Sequence, residues 1–353
     1  MRYDRPVRLF EIDGRPIYHD IQGSFNELLR SALEEDPIGV ALGPLYKEDP
    51  ALELIAPFFR SARESGWSVP PAQLAPDWIV ERASALRAEE ASRTLKEMDP
   101  DDLNDWTRAG IVLEIASRRG FRHRKHGMIH TRWKLNGTVT GRFGVEPGSF
   151  NPMVMDAEER GMIVPRDAGR KIVVIDFRGI DVCSMILACP DHGLRELYAG
   201  SADPHARTAE LLFGESGDEL REIAKSQIFT YAYGGQTPLK EDFEKKIPPL
   251  RAIRSMQPHG EGARFIQKTS ARAFRAALSH ILPSVIWPDI SPMFAVHDEL
   301  VLDVAEDCDD CIAYIVEDMS AGATRRIAGE NPGIRYSASI TWGSTYGEAK
   351  EKG

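Results

Sequence analysis

Four side chains recur at every fourth position of one predicted helix, and their types suit a ligand with phosphates and an aromatic base. The segment DELREIAKSQIFTYAYGG (218–235) holds Arg221, Lys225, Phe229 and Tyr233. At about 100° per residue, each step of four drifts by only about 40°, so all four share one broad face. Cations bind phosphates, and aromatic rings stack on bases or sugars. A nucleoside triphosphate needs both, whereas a face turned to the core would not mix cations with rings.

Two aspartates stand where a lone charge is unfavourable. Asp176 ends the apolar strand KIVVID (171–176), and Asp298 lies at the tip of a predicted β-hairpin, MFAVHDELVLDV (293–304). A buried carboxylate must be paired or must bind metal. Two carboxylates that meet across a sheet can hold two Mg²⁺ ions about 4 Å apart, which clamp an in-line phosphoryl displacement. The alternative, two unrelated aspartates that cap turns, is favoured if the helix at 218–235 is left aside.

The elements that position these residues alternate between strand and helix. They are expected in this order: a strand at 171–176, helices at 218–235 and 262–281, and a hairpin at 293–304. Ser216 with Glu219 predicts a capping box for the first helix, and Gly234 with Gly235 predicts its end. This order predicts an α+β domain, with helices inserted between segments of an antiparallel sheet.

The second long helix carries an apolar stripe and a basic stripe. The apolar stripe steps by four and three residues through Gln267, Ala271, Phe274, Leu278 and Ile281. The basic stripe steps likewise through Arg264, Lys268, Arg272 and Arg275. One packing face and one basic face are what a helix that follows a nucleic-acid duplex needs, and a solvated basic face is the alternative.

The N-terminal third gives weaker signals. VRLFEI is a predicted strand, SFNELLRSALEE is a predicted helix capped by Ser24 with Glu27, and VPPAQLAPDW is a predicted linker. Two amphipathic helices are expected at 77–100 and 102–119. The function of residues 1–75 stays open.

Bulk composition bounds the class of protein. The chain has 353 residues, 42% hydrophobic, which is long enough for two or three domains with a sizeable core. The net charge of −10 does not indicate a nucleic-acid binder, yet residues 118–142 form a local basic cluster with interleaved histidines, as a DNA cleft would need. No apolar run is long enough for a membrane span and the N-terminus is charged, so we expect a cytoplasmic protein that is not secreted.

The cysteines predict little chemistry. The chain has four, Cys183, Cys189, Cys308 and Cys311. They suit a reducing compartment and predict no disulfide framework. The CxxC pair encloses two aspartates and lacks a second ligand pair, so a solvated helix start is favoured over a zinc site.

Three of these segments resemble motifs of the family A DNA polymerases, the bacterial DNA polymerase I group. VVIDFRGIDV resembles the first palm motif, RxxxKxxxFxxxYG at Arg221–Gly234 the fingers helix, and VHDEL at 296–300 the last palm motif. Four more segments match in the family's order: TGRF (140–143), DPHARTAELLFG (203–214), FIQKTSARA (265–273) and WGSTYGEA (342–349). The resemblance spans residues 112–350, and seven motifs in the correct order are not plausibly chance.

The resemblance implies metal and nucleotide roles. Asp176 and Asp298 would hold two Mg²⁺ ions, or Mn²⁺ in their place, helped by the backbone carbonyl of Phe177. Arg221, Lys225 and His205 would hold the triphosphate, and Lys225 would also protonate the leaving pyrophosphate.

The resemblance also implies contacts to the sugar, the template and the duplex. Phe229 would pack on the sugar, Tyr233 would stack near the templating position, and Asp181 would block a ribose 2′-hydroxyl. Contacts to primer–template DNA are expected from Arg142, Gln267, His297, Lys268 and Arg272. The reaction would be attack of the primer 3′-oxygen on the α-phosphate of a dNTP.

The implied fold is a right-hand polymerase with an antiparallel-sheet palm, reduced helical fingers and a small helical thumb. The expected divisions are an α/β segment (1–75), the thumb (76–135), the first part of the palm (136–205), fingers with a duplex-contacting helix (206–282) and the second part of the palm (283–353). The stretch before the palm is too short for a proofreading exonuclease, so none is expected. With so small an enclosure we expect short products, unless a replisome or processivity partner assists.

Some positions depart from the family pattern. Asp181 replaces the usual Glu, and the stretch between Gly234 and Gln267 is shorter than in the family. Arg178 and Cys183 are further departures without an explanation.

Two alternative functions stay open. Thr230 and Ala232 before the Tyr-Gly pair are similar to the helix motif of single-subunit RNA polymerases and primer-making relatives, although VHDEL and Asp181 favour a DNA polymerase. A catalytically idle replisome scaffold is the other alternative. It would be expected to lose an aspartate or the lysine, and Asp176, Asp298 and Lys225 are all present.

Overall fold

The structure is a computed structural model. It describes residues 7–12, 15–19, 85–86, 100–135, 137–256, 260–285, 289–329 and 332–351, with the backbone alone at 7–12 and 15–19. The expected helix at 24–35 and the expected linker at 69–78 lie outside the described residues, as does nearly all of the helix expected at 77–100. Among the described helices, none is long and apolar enough to cross a membrane.

The described chain mixes helices with short strands. The strands are β1 (Val7–Ile12), β2 (Arg15–His19), β3 (Phe121–His123), β4 (Gly127–Ile129), β5 (Trp133–Lys134), β6 (Gly144–Val145), β7 (Ile163–Val164), β8 (Arg170–Phe177), β9 (Ile290–Val296), β10 (Glu299–Ala305) and β11 (Ala338–Gly343). The helices are α1 (Pro100–Arg119), α2 (Ala157–Met162), α3 (Ile180–Ala188), α4 (Gly193–Tyr198), α5 (Pro204–Phe213), α6 (Asp218–Ala232), α7 (Lys240–Lys246), α8 (Arg251–Arg254), α9 (Glu261–His280), α10 (Leu282–Val285), α11 (Asp309–Ala328) and α12 (Tyr346–Glu351).

The central sheet has four strands in the order β11-β8-β10-β9, and every pair is antiparallel. The strand predicted at 171–176 is the core of β8, and the predicted hairpin is β9-β10 with His297 and Asp298 in its turn. The strand predicted at VRLFEI is β1, which pairs with β2. These predictions are confirmed, and the sheet is mixed with helices as an α+β class requires.

Side chains from both faces of the sheet are buried, which explains why β8 reads as a continuous apolar run. Val173 and Ile175 pack with α3, α9 and α11 on one face. Ile172 and Val174 pack on the other face with Phe294 and with Tyr346 of α12. Because burying one such side chain contributes about 1.5–3 kcal/mol, the two layers hold β8 firmly and fix the position of its end.

Three long helices, α1, α9 and α11, pack together beside the sheet. α9 packs against both α1 and α11, and α1 also contacts β9. Trp106, Val112 and Ile115 of α1 are buried in the same core as the sheet. The predicted helix at 102–119 is therefore confirmed, and it is embedded beside the sheet. Its assignment to a thumb stays a prediction.

One capping prediction was wrong. The N-cap of α6 is Gly217, without a side-chain hydrogen bond, so Ser216 and Glu219 form no capping box. The helix begins one residue later than that box requires, and Asp218 and Glu219 instead place negative charge in its first turn, where the helix dipole favours it.

The expectation that the cysteines form no disulfide was also wrong for one pair. Cys308 and Cys311 are bonded, while Cys183 and Cys189 are free and buried. Cys308 is the N-cap of α11 and Cys311 lies in its first turn, which brings their Cα atoms to 5.3 Å, a separation that a disulfide spans. The helix start at this pair is as predicted.

Candidate nucleotidyl-transfer site

Asp176 and Asp298 meet at one end of the central sheet. Asp176 pairs with Glu299 across β8 and β10, and Asp298 is the residue just before β10. The Phe177 amide donates to the Asp298 carbonyl at 3.4 Å, which continues the ladder past the last strand pair. The sheet register therefore brings the two aspartates and the Phe177 backbone together, as the sequence predicted.

The electrostatics of this pair are unfavourable to a second negative charge. Burial, then the nearby charges of Asp176 and Asp181, raise the pKa of Asp298 to about 7. Burial, then the charge of Glu299, also raise the pKa of Asp176. Within the part of the chain that the structure describes, neither carboxylate forms an ion pair within 4 Å. Such crowded carboxyls suit hard cations, which take oxygen ligands.

Glu299 beside them is a buried acid that the sequence reasoning missed. It is 4% exposed and accepts hydrogen bonds from the Tyr346 hydroxyl and the Lys350 ammonium. Both partners lie on α12, so the C-terminal segment holds this acid in place. The described residues contain no group of three or more His, Cys, Asp or Glu side chains with the spacing of a metal site, so the candidate set is the aspartate pair with backbone oxygen.

Asp181 lines a cavity that Asp298, His297, Arg142 and Ser270 also line. Arg142 donates to both Asp181 oxygens at 3.3 Å, and the Ser270 hydroxyl donates to one of them at 2.5 Å. The structure thus brings four predicted site residues, Arg142, Asp181, His297 and Asp298, to one pocket. Ser270 was missed because its role depends on an element 89 residues away in the chain.

The two cations of α6 are present but are held by acids. Arg221 donates to Asp203 at 2.7 Å and to Glu222 at 2.8 Å, and Lys225 reaches Glu222 at 3.4 Å. Ala224 and Ile228 form the buried face of α6, so the predicted stripe is on its more exposed face.

His205 lies under this stripe. It is buried, its Nδ1 has no hydrogen-bond partner among the described residues, and its Nε2 lies 2.9 Å from where a Cβ would stand at Gly179. Burial, opposed by the charge of Asp203 and assisted by the charges of Arg221 and Lys225, lowers the pKa of His205 to about 4. Gly179, in a left-handed conformation at φ 61°, leaves the space that the ring fills.

The two aromatic residues of the stripe, Phe229 and Tyr233, connect His205 to the Asp181 pocket. The Phe229 ring centroid is 6.2 Å from His205 and 5.7 Å from Tyr233. Burial and the charge of Asp181 raise the pKa of Tyr233 to about 12. Tyr233 is thus within electrostatic reach of the Asp181 pocket.

The predicted DNA-contacting residues of α9 and of the hairpin turn differ in how exposed and how free of partners their side chains are. Lys268 is exposed and Gln267 is half-buried. Arg272 is held by Asp102 of α1 with contacts of 2.9–3.1 Å. His297 is exposed in the hairpin turn at φ 56°, the one described residue other than glycine with a positive φ. Such a conformation costs energy and is often found at functional sites.

Arg178 directly follows Phe177 at the site. Its amide donates to the Ser337 carbonyl at 2.8 Å, and its side chain is exposed. Nothing in the structure explains why an arginine stands there.

Comparisons with known proteins agree with this geometry. Residues 114–248 match the family model described as DNA polymerase family A. The thermostable DNA polymerase I of Thermus thermophilus is 22% identical over 260 residues, which is 57% of this chain and 31% of that protein. The chain therefore spans less than a third of the length of that relative.

A solved structure is similar as well. The POL domain of Pol1 from M. smegmatis, in complex with DNA primer-template and dNTP, matches with a TM-score of 0.50 and 15% identity. The match covers 69% of this chain and 52% of that chain. At this identity it shows a shared fold.

Proposed function

We propose that this chain, a relative of the family A DNA polymerases, extends a primer 3′-hydroxyl with dNTPs under the direction of a template. One observation carries the proposal. Asp176 and Asp298 lie at one sheet end with raised pKa values, and the charge of Asp181 acts both on Asp298 and on Tyr233, which ends the helix face of two cations and two aromatic rings. Phosphoryl transfer needs little more than charge neutralisation and positioning, and this arrangement supplies both.

The residues fit a divalent cation site. Asp176, Asp298 and the Phe177 carbonyl would hold Mg²⁺, with Mn²⁺ as a substitute, and two bound ions would stabilise both the attacking and the leaving oxygen. The donors are all oxygens, which Mg²⁺ prefers, and the raised pKa values reflect first the burial of these carboxyls and then the negative charge of neighbouring acids. Glu299, tied to Tyr346 and Lys350, supports the strand end from behind.

The face of α6 would receive the nucleotide. Arg221 and Lys225 would exchange Asp203 and Glu222 for phosphate oxygens, and Lys225 would donate a proton to the departing pyrophosphate. Phe229 would pack on the sugar and Tyr233 near the templating base. His205 is buried beneath them, so a role on the phosphates requires its ring to turn outward. In its present place it supports Phe229 and Gly179.

The pocket around Asp181 would receive the sugar and the primer end. Ser270 and Arg142 hold the carboxylate in one place, and this restrains the shorter acid that stands where the family has Glu. Arg142, Gln267 and His297 would contact the duplex near the primer terminus. Lys268 would bind backbone phosphate, and Arg272 would do so after leaving Asp102.

The subdomains follow from these roles. The sheet would be the palm, α5–α8 reduced fingers and α1 part of a small thumb, within the divisions 76–135, 136–205, 206–282 and 283–353. We further propose that the chain carries no proofreading exonuclease and that its synthesis is distributive without a partner protein, because few groups surround the duplex.

Primer extension with dNTPs and with rNTPs on one template tests the function. We expect template-matched extension with dNTPs in Mg²⁺ and much weaker extension with rNTPs. Preferential use of rNTPs would favour the RNA polymerase alternative. Binding of primer–template without any extension would favour the idle scaffold.

A further inference from the structure

The C-terminal end of α6 is fixed by an arginine that lies outside the helix. The helix closes with three backbone bonds, from Tyr233 to Phe229, Gly234 to Tyr231 and Gly235 to Thr230, at 2.9–3.1 Å. Gly234 takes a left-handed conformation at φ 87°. This is a Schellman closure, which satisfies inner carbonyls and leaves the outer ones to find other partners.

Arg254 supplies further donors to this end of the helix, including a second one to the Tyr231 carbonyl. One guanidinium nitrogen donates to the Tyr231 carbonyl at 2.6 Å and to the Gly235 carbonyl at 3.1 Å, and the other reaches the Gly234 carbonyl at 3.5 Å. The guanidinium carbon also lies 4.7 Å from the centroid of the Tyr231 ring, which stacks on Phe243 of α7. A cation at a helix C-terminus is favourable, and only a planar fork can serve three carbonyls and a ring at once.

The start of α9 packs against the same end of α6. A Cβ at Gly262 would lie 3.0 Å from the Ile253 carbonyl and 3.4 Å from the Ala232 carbonyl, so the ends of α6, α8 and α9 meet without room for a side chain. α9 also carries Ser270, the hydrogen-bond donor to Asp181. The last turn of α6 is thus tied to the helix that shapes the Asp181 pocket.

We propose that Arg254 is a positioning residue that sets the place of Tyr233 over the templating base, and thereby sets nucleotide selection. The inference rests on the proposed function. In the connection between α6 and α9, the side chain of Arg254, on the four-residue helix α8, holds the turn that begins at Tyr233. Its loss should disturb how the correct nucleotide is recognised more than how fast it reacts once bound.

Single-nucleotide insertion kinetics with matched and mismatched dNTPs test this. We expect Arg254→Ala to raise KM for the matched dNTP by about tenfold or more, with a smaller change in kcat, because small misplacements of a positioning group are costly. The ratio of matched to mismatched insertion should fall. Arg254→Lys should rescue little, because an ammonium lacks the fork. Arg251→Ala is the matched control, since that exposed arginine on the same helix makes hydrogen bonds of 3.5 Å to Glu244 and, among the described residues, none to the carbonyls that Arg254 holds.

A double variant separates positioning from stability. Adding Arg254→Ala to Tyr233→Ala should change KM and mismatch insertion little, because Arg254 acts through Tyr233. Fully additive effects, or an Arg254→Ala protein that only melts earlier and keeps wild-type KM and selectivity, would overturn the proposal. If Arg254→Ala does not fold, Arg254→Lys carries the test, and wild-type selectivity in that variant overturns it. A wild-type chain that extends no primer overturns the proposed function and this inference together.

Discussion

Strand β10 has a buried acid in its interior and an acidic pair beside its start, and the two places are treated in opposite ways. Asp303 is fully buried and is held by Arg166 and Arg170 at 2.6–3.1 Å. Asp298, the residue just before β10, lies near Asp176 at the sheet end, and burial, then the like charges of Asp176 and Asp181, raise its pKa to about 7. One strand therefore shows both a carboxylate that the protein neutralises and a pair that it does not.

The different surroundings of these acids distinguish a structural carboxylate from carboxylates that are available for a ligand. A buried carboxylate that is paired with arginines is satisfied by the fold itself and needs no ligand. The carboxylates of Asp176 and Asp298 are crowded and form no ion pair among the described residues. Their repulsion raises the free energy of the folded chain until a positive charge binds. Perturbed acids of this kind cluster at functional sites. We therefore propose that Asp303 serves stability and that the Asp176–Asp298 pair serves chemistry.

The largest expected effect is on catalysis. Asp176→Ala or Asp298→Ala should leave less than about 1% of the extension rate in Mg²⁺, because each would remove a proposed metal ligand. Binding of primer–template should be largely kept, because phosphate contacts dominate affinity. Gel-based extension and a salt-matched binding assay measure both. Either variant working at more than about 1% of the wild-type rate would contradict the assignment.

Substitution of Asp303, the acid paired with arginines, should lower stability, whereas substitution of Asp298 should not. Asp303→Asn leaves two arginines, 20% and 12% exposed, without their anion, so the free energy of unfolding should fall by about 3–5 kcal/mol. Denaturant unfolding measures it. Asp298→Asn should cost no stability. Equal destabilisation by the two variants would remove the distinction between the two acidic positions.

A pH series sharpens the same contrast. The Asp298 carboxyl holds its proton more tightly in the folded chain, with a pKa of about 7, than in the unfolded chain, with a pKa of about 3.9. The free energy of unfolding of the metal-free protein should therefore fall as pH rises between these values and level off above pH 7. Asp298→Asn should make that fall shallower. Asp318, also raised to about pKa 7 by burial, contributes equally to both proteins and cancels in the difference. Identical slopes would contradict the raised pKa of Asp298.

Asp181 lies between the two extremes, since it has a cation partner but stays about a third exposed. Asp181→Ala should lower the dNTP/rNTP insertion ratio by about tenfold, within the 1–3 kcal/mol that crowding alone supplies. Single-nucleotide insertion with dNTP, rNTP and ddNTP measures it. Phe229→Tyr should increase ddNTP use without changing the dNTP/rNTP ratio. An unchanged ratio in Asp181→Ala would show that this residue is not the sugar gate.

Local patterns predicted the elements and the meeting of Asp176 and Asp298 at one end of the sheet. The apolar run of β8, the hairpin turn at His297-Asp298 and the four-residue spacing on α6 each depend on neighbours in sequence, and each was found. The paired glycines also marked the end of α6 correctly.

Contacts between distant segments were not predictable in the same way. Arg170 and Asp303 are 133 residues apart, and Arg272 and Asp102 are 170 apart, so no local period links them. Ser270 and Arg254 likewise look like ordinary helix residues until the fold brings them to Asp181 and to the end of α6. The capping box failed because a one-residue shift in the helix start moves Ser216 out of the N-cap position.

Metal binding tests the central claim most directly. The chain would be bound to a primer–template whose primer ends in a dideoxynucleotide, together with the next matched dNTP, and protein-bound Mn²⁺ counted by equilibrium dialysis. We predict that the wild-type complex binds more Mn²⁺ than the Asp298→Asn complex, while Asp303→Ser, examined at a temperature where it is folded, binds as many ions as wild type. Equal Mn²⁺ binding by wild type and Asp298→Asn would contradict the assignment of the aspartate pair as the metal site.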